Sequence, residues 1–152
     1  MLASRSFLKY WLPVLGWMLL VFSASTDVMS DAHTSRFIGP CLRWLVPGIS
    51  SADVGLAQLT IRKTGHLTEY AVLALLLWRA LRKPISGDSR PWSWPQARRA
   101  FLVAACYAAS DEVHQAFVPS RDAAVADVLL DTLGAALGLG LIWIVGRSRK
   151  RW

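Results

Sequence analysis

The sequence predicts an all-α fold: a four-helix transmembrane bundle with the N- and C-termini in the cytoplasm and short interfacial helices between spans one and two. Three observations carry this. Apolar residues make up 54% of the 152 residues and charged residues only 18%, against roughly 25% charged in soluble domains. Eight tryptophans in so short a chain and a mean hydropathy of +0.36 argue against a disordered chain, a solenoid or an ordinary soluble enzyme. The apolar residues also gather into four stretches close to the ~20 residues that a bilayer crossing needs. The whole chain, residues 1–152, has the length of a single domain.

The first span covers residues 7–25, with an apolar core over 10–22. Arg5 and Lys9 precede it and Ser23-Ala24-Ser25 closes it, so a cleaved signal peptide is the alternative for this segment. The second span, 63–81, ends in the solid apolar run 70–78 and stops at Arg79, Arg82, Lys83 and Pro84. The third, 100–118, is apolar to Ala109 and polar beyond it. The fourth, 123–145, opens with Asp127 and Asp131 and ends at Gly146 and a basic tail. Between Thr26 and Arg62 nothing is long or apolar enough to cross. Phe37, Cys41, Trp44 and Leu45 recur at helical spacing, with Leu56, Leu59 and Ile61 following, which predicts short amphipathic pieces on the outer surface. Residues 83–95 carry Pro84, Gly87, Pro91 and Pro95 and predict a loop with Trp92 and Trp94 at the interface. Cys41 and Cys106 form no CxxC and are read as packing residues.

A net charge of +7 is sometimes the mark of a nucleic-acid partner. Here the basic residues lie between and beyond apolar runs, so no nucleic acid is expected and the bilayer is the implied partner. Arg5 and Lys9, then Arg79, Arg82, Lys83, Arg90, Arg98 and Arg99, then Arg147, Arg149, Lys150 and Arg151 account for twelve of the seventeen Lys/Arg. The positive-inside rule places all three groups in the cytoplasm.

With that topology the polar residues of all four spans converge on the outer leaflet. Ser23 and Ser25 close the first span. Lys63, His66, Glu69 and Tyr70 open the second. Asp111, Glu112, His114 and Gln115 end the third, and Asp127 and Asp131 begin the fourth beyond a turn that holds Arg121. At 1.5 Å per residue, Asp111 should lie about 10 Å deep and Asp127 about 6 Å. Lys63, His66, Tyr70, Leu73 and Leu77 share one helical stripe; Asp111, His114, Gln115 and Val118 share a second, with Glu112 turned by about 100°. Asp127, Asp131, Gly134 and Gly138 form a third, whose GxxxG pair admits a neighbouring backbone.

Ionisable groups at such depth are expected to point inward and find partners. The ligand-binding set is therefore Ser23, Lys63, His66, Tyr70, Asp111, Glu112, His114, Gln115, Arg121, Asp127 and Asp131. His66 and His114 can exchange protons near neutral pH and a carboxylate can orient them, so His114, Asp111, Glu112 and His66 are the candidates for any catalysis. Plainer roles stand beside these: Asp131 holding two helices together, Lys63 and Arg121 snorkelling to the interface, and Glu69 as a solvated helix start. A mixed N/O metal site from His66, Asp111, His114 and Asp127 has the right atoms. HExxH, HxxxH and a Cys-rich set are all missing, however, and no metal or other cofactor is expected. No phosphate-binding glycine loop or GxSxG elbow appears either.

The run Asp111-Glu112-Val113-His114-Gln115-Ala116-Phe117-Val118-Pro119-Ser120-Arg121, preceded by Tyr107 and followed by Asp127-Val128-Leu129-Leu130-Asp131-Thr132-Leu133-Gly134, resembles the signature of the VanZ-like family of small bacterial membrane proteins. The resemblance extends to Phe22-Ser23-Ala24-Ser25, Lys63, His66 and Tyr70. This chain departs from the family pattern in having Ala24, Ser25 and Thr26 where a second serine followed by glutamine is frequent. It also has Ser120-Arg121 where Gly-Arg is frequent and Asp131 where Asn is frequent. The resemblance implies a multi-pass protein of the bacterial plasma membrane. The name-giving member is linked to low-level resistance to teicoplanin, a glycopeptide antibiotic that carries an acyl chain.

Three functions fit. The leading expectation is an outer-leaflet site that binds an amphiphilic envelope or glycopeptide-type ligand and contributes to antibiotic resistance or envelope homeostasis. The second is an enzyme that modifies a lipid-linked headgroup by His/carboxylate acid–base chemistry. The third is a small proton-linked transporter, disfavoured because the cytoplasmic halves of the spans are apolar.

Overall fold

The computed structural model describes residues 7–26, 31–83, 91–119 and 123–151. Every regular element among the described residues is a helix. These are α1 (Leu12–Ser25), α2 (Asp31–Leu45), α3 (Ser51–Arg82), α4 (Trp94–Gln115) and α5 (Val125–Ser148), with a helical turn at residues 7–10 ahead of α1. That turn runs on into α1 through the bonds Trp11 N–H to Phe7 O and Leu15 N–H to Trp11 O. Pro13 causes only the local irregularity expected of a proline in a first turn. The expected loop over 83–95 is non-helical at 91–93; residues 84–90 and the 120–122 part of the α4–α5 turn lie outside the described residues.

α5 is the one helix among the described residues that is both long and apolar enough to cross a membrane, and α1 is a shorter apolar helix. Segment 63–81 lies inside α3, and the third segment lies in α4 only as far as Gln115; both helices are of more mixed composition. The largest departure from expectation is the start of α3. Leu56, Leu59 and Ile61, expected in separate surface pieces, are the first turns of one 32-residue helix. The physical reason is at Ser50, whose Oγ accepts the Asp53 N–H at 3.1 Å and donates to Asp53 Oδ2 at 2.7 Å. This cap starts the helix at Ser51, and only Gly55 and Gly65 weaken it before the apolar run, each by about 1 kcal/mol. α3 ends at Lys83, which adopts the left-handed conformation (φ 47°) and returns its N–H to the Arg79 carbonyl. The other boundaries move less: α4 begins at Trp94 rather than 100, with Pro95 in its first turn, and ends at Gln115.

The connector does carry the expected amphipathic helix, α2. It holds Pro40 inside, rests Gly39 near Val54 and Gln58 of α3, and leaves Phe37 and Trp44 exposed.

Small residues build the packing faces. Ala97, Ala100, Ala104 and Ala108 of α4 meet Tyr70, Leu73, Ala74, Leu77 and Trp78 of α3, Ala135 and Leu139 of α5, and Val14 and Val21 of α1. The closest approach is between α3 and α5. A Cβ on Gly134 would sit 2.2 Å from the Leu67 carbonyl oxygen, and one on Gly138 would sit 2.7 Å from that of Ala71. The GxxxG reading of this face is thereby realised. Large apolar side chains point outward instead: Leu129, Leu133, Leu137 and Leu141 of α5, and Leu12, Leu15 and Leu19 of α1. Cys41 and Cys106 are exposed free thiols rather than packing residues. Cys106 falls off the α4 alanine stripe by two residues, about 200° of helix rotation.

Candidate functional site

The α3–α5 crossing positions the site. On α5, the stripe that places Gly134 against α3 also carries Asp131 and Asp127, one and two turns nearer the helix start. Facing them on α3 is the stripe Lys63, His66, Tyr70. Lys63 Nζ forms an ion pair with Asp127 Oδ1. Buried Asp131 brings Oδ1 to 3.3 Å from His66 Nδ1, without closing a hydrogen bond. Two residues predicted separately on each helix thus meet in register.

α4 brings Asp111 and Gln115 to the same region, both buried. Asp111 Oδ2 accepts hydrogen bonds from Gln115 Nε2 at 3.1 Å and from Ser25 Oγ at 2.6 Å. The Ser25 hydroxyl also lies 3.0 Å from the Val21 carbonyl, and its single proton serves one acceptor at a time. Tyr70 is fully buried, with Asp111 and Asp131 both within electrostatic reach of its hydroxyl. His114 is half-buried, with its ring 4.5 Å from that of Phe22.

Buried Glu112 lies within electrostatic reach of Asp127, Asp131 and His66, and its side chain serves a backbone group. Its Oε1 accepts the Ala124 N–H, the N-cap donor that the carboxylate of a capping box takes. Ser23 lies apart: it is exposed, and its hydroxyl donates to the Leu19 carbonyl at 2.8 Å. Ser25 occupies the position in the cluster that Ser23 was expected to hold. A signal for this was present, since Val14, Val21 and Ser25 follow one helical stripe and Ser23 does not. Arg121 lies outside the described residues.

Sequence reasoning missed two contacts that tie α1 to the site. Trp17 Nε1 donates to the Glu69 carbonyl at 2.9 Å. The Tyr107 hydroxyl donates to the Met18 carbonyl at 2.7 Å, with the Tyr107 ring 6.3 Å from that of Tyr70. Neither contact has a local sequence signature, because each partner is a backbone carbonyl on another helix.

Five atoms of this cluster are buried and have no hydrogen-bond partner among the described residues: His66 Nδ1, Tyr70 Oη, Asp111 Oδ1, His114 Nε2 and Asp131 Oδ1. Buried polar groups are nearly always hydrogen-bonded, and leaving one unpaired costs about 1–3 kcal/mol. Four of these atoms, on His66, Tyr70, Asp111 and Asp131 of three helices, belong to side chains that adjoin or feel one another; the fifth, His114 Nε2, is on the next turn of α4 after Asp111. Among the described residues, no group of three His, Cys, Asp or Glu side chains is disposed to hold a metal ion. The VanZ/LLP1 family model matches residues 10–146. No curated protein and no solved structure matches the chain.

Proposed function

The chain belongs to the VanZ/LLP1 family, and on that premise we propose that it is a multi-pass bacterial plasma-membrane protein that binds the polar head of an amphiphile. The segments 7–25, 63–81, 100–118 and 123–145 cross the bilayer, with both termini cytoplasmic. Several features support this. Only 28% of the most apolar stretch of α5 is buried within the protein, so most of that stretch needs another nonpolar surrounding. The outward leucines of α1 and α5 suit acyl chains rather than water. Arg79, Arg82, Arg98, Arg99 and Arg147 gather at the helix ends opposite the polar site, as the positive-inside rule requires.

The observation that carries the binding reading is the set of five unpartnered buried atoms on His66, Tyr70, Asp111, His114 and Asp131. A bound headgroup with both donors and acceptors supplies what they lack, while its tail lies among the outward side chains. Lys63, Asp127 and Gln115 complete the binding set, and an acylated glycopeptide or an envelope lipid has the required chemistry. The test is teicoplanin and vancomycin susceptibility of a sensitive Gram-positive host expressing wild type, Asp111→Asn or His114→Ala at matched membrane levels. Protection by wild type alone, selective for the acylated drug, is the expected result. Equal susceptibility of all three strains and the empty host rejects glycopeptide protection.

One contact favours a second reading, that of an enzyme acting on a lipid-linked headgroup. Asp131 beside His66 at 3.3 Å is half of a carboxylate-oriented general base. Loss of nearly all effect on His66→Asn, together with a changed lipid headgroup profile, selects the enzyme. A graded loss of affinity selects the binding protein.

A further inference from the structure

At the end of the bundle opposite the polar site, α4 and α5 leave a groove of about 520 Å³, within the range of ordinary small-molecule sites. Its walls are aromatic. Trp92, Trp94, Phe101 and Trp143 line it together with Arg98 and Gly140. The rings support one another: Trp94 lies 5.9 Å from Trp143 and 5.7 Å, edge-on, from Trp92, and Trp92 in turn stacks at 5.1 Å on Trp78. At the rim the Arg147 guanidinium sits 5.7 Å over the Trp143 ring. No carboxylate is found among the described lining residues. At Gly140 an added Cβ would meet nothing within 4 Å, so the groove is open there rather than packed.

We propose that this groove holds one acyl chain of an anionic glycerophospholipid of the cytoplasmic leaflet, with its phosphate met by Arg98 and Arg147. The argument is charge complementarity joined to position. Two guanidiniums border an otherwise apolar slot, and guanidinium geometry matches a phosphate with two parallel hydrogen bonds. Tryptophans concentrate where acyl chain meets headgroup, and four aromatic rings line the slot here. The cytoplasmic surface carries the anionic lipids, and basic residues beside it are attracted to them. The inference rests on the membrane reading above but concerns a second site, with Arg98 about 20 Å along α4 from Asp111 at 1.5 Å per residue.

The test uses the full-length protein, purified in mild detergent and offered phosphatidylglycerol and phosphatidylcholine of identical acyl chains, with retained lipid counted by native mass spectrometry. Wild type is expected to retain phosphatidylglycerol in preference. The exposed-site variant Arg98→Gln should lower that retention about fivefold, the effect of one cationic residue at a membrane surface. Gly140→Leu should remove it by filling the slot, with an unchanged melting temperature because the space is open. Equal retention of the two lipids overturns the proposal, as does a preference that neither variant changes, or a lipid-free dimer of this chain. Release of the native protein from membranes by alkaline carbonate overturns the membrane reading and this proposal together. Resistance to carbonate without a lipid preference overturns this proposal alone.

Discussion

Ser25 Oγ donates to Asp111 Oδ2 at 2.6 Å across 86 residues of sequence, and both groups are buried. This bond joins α1 to the polar cluster. Asp111 then retains one carboxylate oxygen that is committed and one, Oδ1, that is unpartnered among the described residues.

Ser25→Ala should therefore lower stability by about 1 kcal/mol, the scale of an interhelical hydrogen bond between membrane helices. Ser23→Ala, two residues away on the exposed side, should change stability by less than about 0.5 kcal/mol. Thermal unfolding of the detergent-solubilised variants checks the pair. Equal effects would mean that the two serines are interchangeable.

Gly134→Ala places a methyl 2.2 Å from a backbone oxygen, which no rotamer change relieves. Separating α3 from α5 should cost about 3 kcal/mol. Gly140→Ala meets open space and should be neutral or stabilising by up to about 1 kcal/mol, through helix propensity. Melting temperatures of the two variants should move in opposite directions or by clearly different amounts.

His66 and Asp131 should show favourable coupling in a double-mutant cycle of His66→Ala and Asp131→Ala. Each single change strands the buried partner, so the double variant should be less destabilised than the sum of the singles by about 1 kcal/mol. Additive effects would indicate that the 3.3 Å approach contributes nothing.

Glu112→Ala should destabilise by about 1 kcal/mol, the usual effect of losing a helix cap, because the Ala124 N–H loses its acceptor. Glu112→Gln keeps a carbonyl oxygen in place and should recover most of that loss. If Gln behaves like Ala, the charge of Glu112 matters rather than its capping bond.

Much of the polar cluster was legible in the chain because helical periodicity is strict. Lys63, His66 and Tyr70 had to share a face, as did Asp127, Asp131 and Gly134, and the glycine pair marked where backbones touch. What periodicity could not supply was the pairing between stripes. Glu112 was correctly turned away from Asp111, yet its partner, a backbone amide beyond the turn, carries no side-chain signal. The start of α3 was hidden for another reason. Apolar content changes along α3, while the backbone at residues 51–63 continues without interruption. A shift in hydropathy does not by itself mark a break in the helix.

The two glycine contacts divide the protein mechanically. Where α3 and α5 touch backbone to backbone at Leu67 and Ala71, neither helix can slide or roll without collision, and they form the fixed jaw of a clamp. α1 is fastened to the site by single hydrogen bonds from Trp17, Tyr107 and Ser25, each of which breaks at small cost. Of the two jaws α1 is the less tightly held. Under the proposed function, room for a bulky head is made by swinging α1 outward, while the anchoring groups of α3 and α5 keep their spacing.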